Sequence, residues 1–192
     1  MTIFNDTATP LRLLATRRSG KARDMVAPGP TADELTAILG VAARVPDHGK
    51  LAPWRFVTIG LDRRQAFADL LASAYLAGRP EAGRVELQAV RDFAFQAPAL
   101  VVVVSRPVEP SQIAKWEQQL SAGTACGLLC AAASAAGFVA NWLTGWAAYS
   151  DMVRDGLGEP VGQIAGFIFI GTPSRPLDER PRPVLADVVR AW

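Results

Sequence analysis

Apolar positions along the chain follow two periods. At Pro98–Ser105 (PALVVVVS) the run is continuous and β-branched, which predicts a strand buried on both faces and central in its sheet. Ile164–Gly171 (IAGFIFIG) predicts a second buried strand, ended by Thr172-Pro-Ser-Arg-Pro, and Trp54–Gly60 (WRFVTIG) a third. Phe138–Trp142 predicts a short strand. Elsewhere the period is helical. Pro10–Arg18 is amphipathic through Leu11, Leu13 and Leu14. After the break at Pro28-Gly29-Pro30, Thr31 opens a helix as N-cap, with Glu34 completing a capping box. Leu35, Ile38, Leu39 and Ala42 form its apolar face, and it stops before Pro46. Asp62–Ala77 and Gln112–Ala136 are further helices, the second ended by Gly137, and Ser150–Leu157 is a short one. Gly78–Arg91 is mixed, either a mobile loop or a short helix. The tail to Trp192 is rich in proline and arginine, with an apolar patch at Val184, Leu185, Val188 and Val189. Strong strands are few and interspersed with helices, so the expectation is α+β with a small sheet rather than a wide doubly wound one. No repeat or linker divides the chain, and one domain over residues 1–192 is expected.

Composition narrows the function classes. Half the residues are hydrophobic and a fifth charged, as in soluble globular proteins. A net charge of +2, with no long basic run, gives no reason to expect nucleic acid. Residues 118–150 carry no charge at all, a length that could span a bilayer. Gln118, Gln119, Ser121, Thr124 and many Ala and Gly in that stretch favour instead a helix buried inside the protein or a dimer, so no membrane span is expected. Cys126 and Cys130, the only cysteines, read as buried free thiols suited to a reducing cytoplasm. With a single histidine besides, no metal site is expected. Met1–Pro10 lacks the basic start and apolar stretch of a signal peptide.

Nucleotide-binding fingerprints (GxGxxG after a strand, GxxxxGK[ST]) are missing, as is the GxSxG nucleophile elbow. What remains is arginine and one imidazole. Arg17-Arg18-Ser19 closes the first helix, either as cations opposing the helix dipole or as part of an anion site. Arg180-Pro-Arg182-Pro has its spacing set by prolines, and is either a solvated tail or a second basic pair. His48, the sole histidine, sits in the loop RVPDHGKLAPWRF (Arg44–Phe56); its ring either caps local backbone groups or meets a ligand.

These pieces, with PTADELTAIL at Pro30–Leu39, WEQQLSAGTACG at Trp116–Gly127, NWLTG at Asn141–Gly145 and FIGTP at Phe169–Pro173, resemble the nitroreductase family of FMN-dependent oxidoreductases, in its short bacterial NAD(P)H nitroreductase subgroup. The resemblance runs from about residue 11 to the end. It implies a small central mixed or antiparallel sheet flanked by helices, an intertwined homodimer, and FMN at the dimer interface. It implies NADH or NADPH as electron donor, and ping-pong hydride transfer to a nitroaromatic or quinone-like acceptor. Arg17, Arg18 and Ser19 would hold the FMN phosphate and ribityl chain or the flavin edge. Arg180 and Arg182 would complete the phosphate site. Arg44 and His48 would lie beside the flavin, and Trp142, Leu143, Thr144 and Gly145 would pass its N5 side. The acceptor pocket would draw on Gly78–Arg91 and on Trp142 or Trp146. No catalytic acid or base is assigned, since the cofactor carries the chemistry. Where the wider family often has Asn or Ser, then Gln, before the Pro-Trp pair, this chain has Lys50 and Ala52. Lys50 either adds charge near the flavin or points to solvent. The alternative function is an FMN store or sensor without efficient turnover.

Overall fold

Strand β3 (Ala99–Ser105) is buried along its whole length. Alternation sorts its side chains onto two faces. Leu100, Val102 and Val104 pack with Phe67, Leu71 and Val90 in one apolar cluster; Ala99, Val101 and Val103 pack with Ile38, Cys126 and Leu129 in the other. The sheet is therefore covered on both sides, by α3 (Arg64–Gly78) and α4 (Arg84–Asp92) on one and by α2 (Ala32–Ala42) and α5 (Lys115–Ala135) on the other. This computed structural model describes residues 4–192; of the Met1–Pro10 segment, residues 1–3 lie outside the described residues.

The sheet has five strands, and every pairing is antiparallel. β2 (Trp54–Thr58) lies on one side of β3 and β5 (Gln163–Pro173) on the other. β4 (Val139–Leu143) and the two-residue β1 (Met25–Val26) share the far side of β5, in tandem. The β3–β5 register shifts between Val103 and Val104, which face Gly166 and Ile164. Ala165 is left without a partner on β3, as in a β-bulge.

The expected α+β class and small antiparallel sheet are present, with local differences. The capping box forms: Thr31 N–H donates to Glu34 Oε2 at 2.8 Å, and Glu34 N–H to Thr31 Oγ1 at 3.3 Å. α1 (Pro10–Thr16) ends before the arginines, because Asn5 and Asp6 take the last turn's groups. Asn5 N–H donates to the Thr16 carbonyl and Asp6 N–H to Thr16 Oγ1. The 78–91 stretch is mostly helix, being the end of α3 and most of α4. α5 starts at Lys115 rather than Gln112, since the Gln118 side chain holds the preceding loop through Val108 N–H, Val108 O and Ile113 O. Gly137, at φ +87°, ends that helix in the left-handed region. α6 (Asp151–Gly156) precedes β5, and α7 (Leu185–Val188) lies exposed in the tail. Among the described residues no helix is long and apolar enough to cross a membrane.

Candidate functional site

The end of α1 releases Arg17 into extended backbone, and Asn5 then pins Arg18 from both sides. Asn5 Oδ1 accepts from Arg18 N–H at 2.8 Å and Asn5 Nδ2 donates to Arg18 O at 3.3 Å. The two guanidiniums diverge. Arg17 Nη1 donates to Ser19 Oγ at 3.3 Å, while Arg18 Nε donates to the Asp178 carbonyl at 2.6 Å. The proline-rich tail thus returns to the start of the chain. Arg182 Nη2 reaches the Arg17 carbonyl at 3.2 Å, and Glu179 lies 3.7 Å from Arg182 and 3.9 Å from Arg18. Arg17, Arg18, Ser19 and Arg182 are brought together, so the C-terminal basic segment is no free tail. Arg180 places its backbone N–H on Glu179. Glu179 and Asp178 hold this cluster and were invisible to motif reading, because they act across about 160 residues of sequence.

β4 runs away from this cluster. Asn141 Nδ2 donates to the Gly20 carbonyl, and Gly20 packs against Val139 so closely that a Cβ would lie 2.9 Å from its side chain. Trp142 follows. Its indole lies across Gly166, and Nε1 donates at 3.0 Å to the carbonyl of Ala165, the residue freed by the bulge. A Cβ on Gly166 would stand 2.1 Å from that Nε1. Gly166→Val is therefore expected to push the indole off β5. The measurement is the Trp142 indole N–H resonance, assigned with Trp142→Phe; an unmoved resonance would show that the indole does not need the glycine. Leu143 and Thr144 continue to Gly145, whose φ of +86° turns the chain toward Trp146.

The His48 loop is held at its base. Asp47 accepts from Ala52 N–H at 2.7 Å and Leu51 N–H at 3.2 Å. Ser121 Oγ of α5 donates to the Pro46 carbonyl at 2.8 Å. Between these anchors three residues sit at positive φ: Gly49 (+78°), Lys50 (+55°) and Ala52 (+45°). For the two non-glycine residues such backbone costs about 1–3 kcal/mol each, strain that persists where surrounding contacts over-determine it. Ala52 thus serves the loop through its backbone N–H. His48 Nδ1 lies 2.8 Å from Glu117 Oε2, in the first turn of α5. This carboxylate was not identified from sequence; the pair is 69 residues apart.

His48 does not join the arginine cluster within one chain; Arg44 is exposed just after α2, its backbone N–H on the Val41 carbonyl. Cys130 of α5 lies within the electrostatic reach of Arg17, whereas His48 is tied to Glu117. Glu117 and Cys130 are 13 positions apart on α5, about 20 Å along its axis.

A cavity of about 290 Å³ opens beyond Thr144, between α3, α4 and the turn after β4. Tyr75, Phe93 and Trp146 supply aromatic walls, and Glu86 the only charge among the lining residues. Tyr75 and Trp146 meet edge to face at 4.9 Å. The Tyr75 hydroxyl donates to Glu86, which raises its pKa, and accepts from Arg79 Nη1 at 2.7 Å. Cys126 and Cys130 are unsuited to nucleophilic work, since burial pushes their thiols up to about 12 and about 11. Among the described residues no group of three or more His, Cys, Asp or Glu could hold a metal ion.

This architecture has counterparts among known proteins. The model of the Nitroreductase family matches residues 14–172. The chain is 34% identical over 164 residues to the Escherichia coli (strain K12) protein named "Putative NAD(P)H nitroreductase YdjA", covering 85% of this chain and 87% of that one. Two solved structures share the fold. A nitroreductase-like family protein from Bacillus cereus superposes with a TM-score of 0.79 at 20% identity, covering 100% of this chain and 98% of that one. A mutant of the "FMN and NADPH-dependent nitroreductase NfnB" from "sphigopyxis sp. strain HMH" superposes with a TM-score of 0.73 at 21% identity, covering 95% and 98%. A match over most of the chain, from the first helix to the last strand, places this protein in the nitroreductase family.

Proposed function

We propose that the chain, as one domain over residues 1–192, forms a homodimeric FMN-dependent NAD(P)H oxidoreductase that reduces nitroaromatic or quinone-like molecules. The observation that carries this reading is the convergence of Arg17, Ser19 and Arg182, from the two ends of the chain, at the start of β4. A phosphate dianion calls for paired guanidiniums and a hydroxyl. Farther along, Asn141 Oδ1 is buried without a donor, an acceptor that a ribityl hydroxyl would satisfy. The strand from Asn141 to Gly145 then covers about 13 Å, at roughly 3.3 Å per residue, which sets the ring end beside Thr144 and the aromatic cavity. FMN and NADPH appear in the name of the NfnB relative, and NAD(P)H in that of the Escherichia coli relative. When bound, FMN supplies the hydride chemistry between nicotinamide and acceptor. Tyr75, Phe93 and Trp146 offer flat apolar walls to an aromatic acceptor.

The dimer rests on α5. Trp116, Leu120, Thr124 and Gly127 form an exposed, uncharged stripe on it, with Trp116 67% and Leu120 50% accessible. Leaving such surface in water forgoes about 25 cal/mol per Å². Two copies packed with their α5 helices antiparallel would set Arg44 and His48 of one chain against Arg17 of the other, closing the gap of about 20 Å along that helix. The exposed Val184, Leu185, Val188 and Val189 of the tail are further surface for the second copy. The two thiols suit a reducing cytoplasm.

The test is a visible absorption spectrum of the purified protein, repeated anaerobically with NADH and with NADPH. Flavin bands that bleach with either nucleotide are expected. Bands that persist would leave an FMN store or sensor, and a protein that stays colourless after FMN is supplied would end the flavin reading.

A further inference from the structure

The His48 loop has more construction than a flavin contact requires. Its base is clamped by Asp47 and Ser121, and two of its non-glycine residues, Lys50 and Ala52, sit in left-handed backbone. That scaffold presents one imidazole, the only one in the chain, and a carboxylate from another element meets it at 2.8 Å. Glu117 occupies Nδ1 and, among the described residues, leaves Nε2 without a partner. The ring and the carboxylate are both open to the surface, with side-chain accessibilities of 66% and 49%, beside the exposed Trp116 and Leu120 of α5. Of the other charges nearby, the Asp47 carboxylate is committed to backbone N–H groups, Lys115 pairs with Glu109 at 3.4 Å, and Lys50 stands exposed in the same loop. An exposed ion pair of this kind adds little stability. A strained loop built to hold one calls for another explanation.

We propose that His48 and Glu117 form a proton-delivering dyad for the acceptor, with His48 as the donor through Nε2 and Glu117 as the positioning residue. The inference rests on the flavin reading above. Reduction of a quinone to a hydroquinone consumes one hydride and one proton. Reduction of a nitro group to nitroso plus water consumes the same pair. The hydride comes from the reduced cofactor. The proton leaves Nε2 of the imidazolium for an acceptor oxygen, and water then replaces it. Throughout, Glu117 keeps the Nδ1 proton and so fixes which nitrogen is free to exchange. In the dimer proposed above, this dyad faces the partner chain's cofactor, because the arginine cluster of its own chain lies too far along α5.

Two measurements test it. The first needs neither cofactor nor turnover. A lone histidine gives one set of imidazole ¹⁵N signals, which report the tautomer of the neutral ring. In the wild-type protein the proton is expected on Nδ1; in Glu117→Ala it should move to Nε2. The second follows the reoxidation of the flavin-loaded, prereduced protein by menadione, 4-nitrobenzoate and ferricyanide. His48→Gln is expected to slow menadione and 4-nitrobenzoate by about 100-fold, the lower end of general acid–base effects, and Glu117→Ala by about 10-fold. Ferricyanide takes an electron without a proton and should be reduced at a similar rate by all three proteins. A wild-type ring protonated on Nε2, or equal slowing of all three acceptors, would overturn the dyad while leaving the flavin reading in place. A protein that takes up no FMN would remove both.

Discussion

Replacing Arg64 by Met is expected to lower the unfolding free energy by about 3–5 kcal/mol, the net left when three carbonyls lose their donor at about 1–3 kcal/mol each and the cost of burying a cation is removed. Arg64 is the first residue of α3 and is 1% accessible. Among the described residues no carboxylate meets it. Its guanidinium donates instead to three carbonyls: Ile59 at 3.0 Å, Ala94 at 2.5 Å and Pro98 at 3.2 Å. These carbonyls belong to the exits of β2 and α4 and the entry to β3. Burial lowers the pKa to about 10, still well above neutrality, so the side chain remains a cation with all its donors. Met fills much of the same space and removes the cost of burying a charge. It also leaves three buried carbonyls unpaired, at about 1–3 kcal/mol each, and that loss is the larger. Urea denaturation measures it. A loss below about 1 kcal/mol, one ordinary hydrogen bond, would mean that water replaces the guanidinium.

The second large effect concerns the cofactor. Arg17→Ala is expected to weaken FMN binding by about 10- to 100-fold, the equivalent of one charge-assisted contact of roughly 1.5–3 kcal/mol. Arg182→Ala should do the same, and the double variant should lose less than the product of the two, because the residues share one anion and Arg182 also holds the Arg17 carbonyl. The informative comparison is FMN against riboflavin by fluorescence titration. Riboflavin lacks the phosphate, so its affinity should hardly change. A variant that still prefers FMN as strongly as the wild type would remove Arg17 from the phosphate site.

Features written in neighbouring residues were legible in the sequence. The β-branched run of β3, the Thr31–Glu34 box and the Gly137 stop each depend on residues a few positions apart, and the structure places all of them as read. The Arg17–Ser19 and Arg182 motifs were legible through family likeness rather than physics, for nothing local says that a proline-rich tail returns to the first helix. What escaped reading depends on distant partners. β1 is two residues long and exists only as a rung against Thr172 and Pro173. α1 stops where Asn5 and Asp6 claim Thr16, although its own pattern would carry it on to Arg18. Arg64 looks like a surface helix residue until the fold closes over it. Glu117 gains meaning only when α5 is laid beside the His48 loop.

The contact between Arg182 and the Arg17 carbonyl bears on biosynthesis. The arginine cluster draws on positions 165 residues apart, so a growing polypeptide must extend that far beyond Arg17 before the cluster can exist. β5, on which β1, β3 and β4 all pair, ends at Pro173, so at about 5–20 residues per second the sheet's last strand precedes Arg182 by only about 0.5–2 s. A chain halted between Pro173 and Arg182 would hold every strand of the sheet and lack the Arg182 contact on which the proposed phosphate site depends.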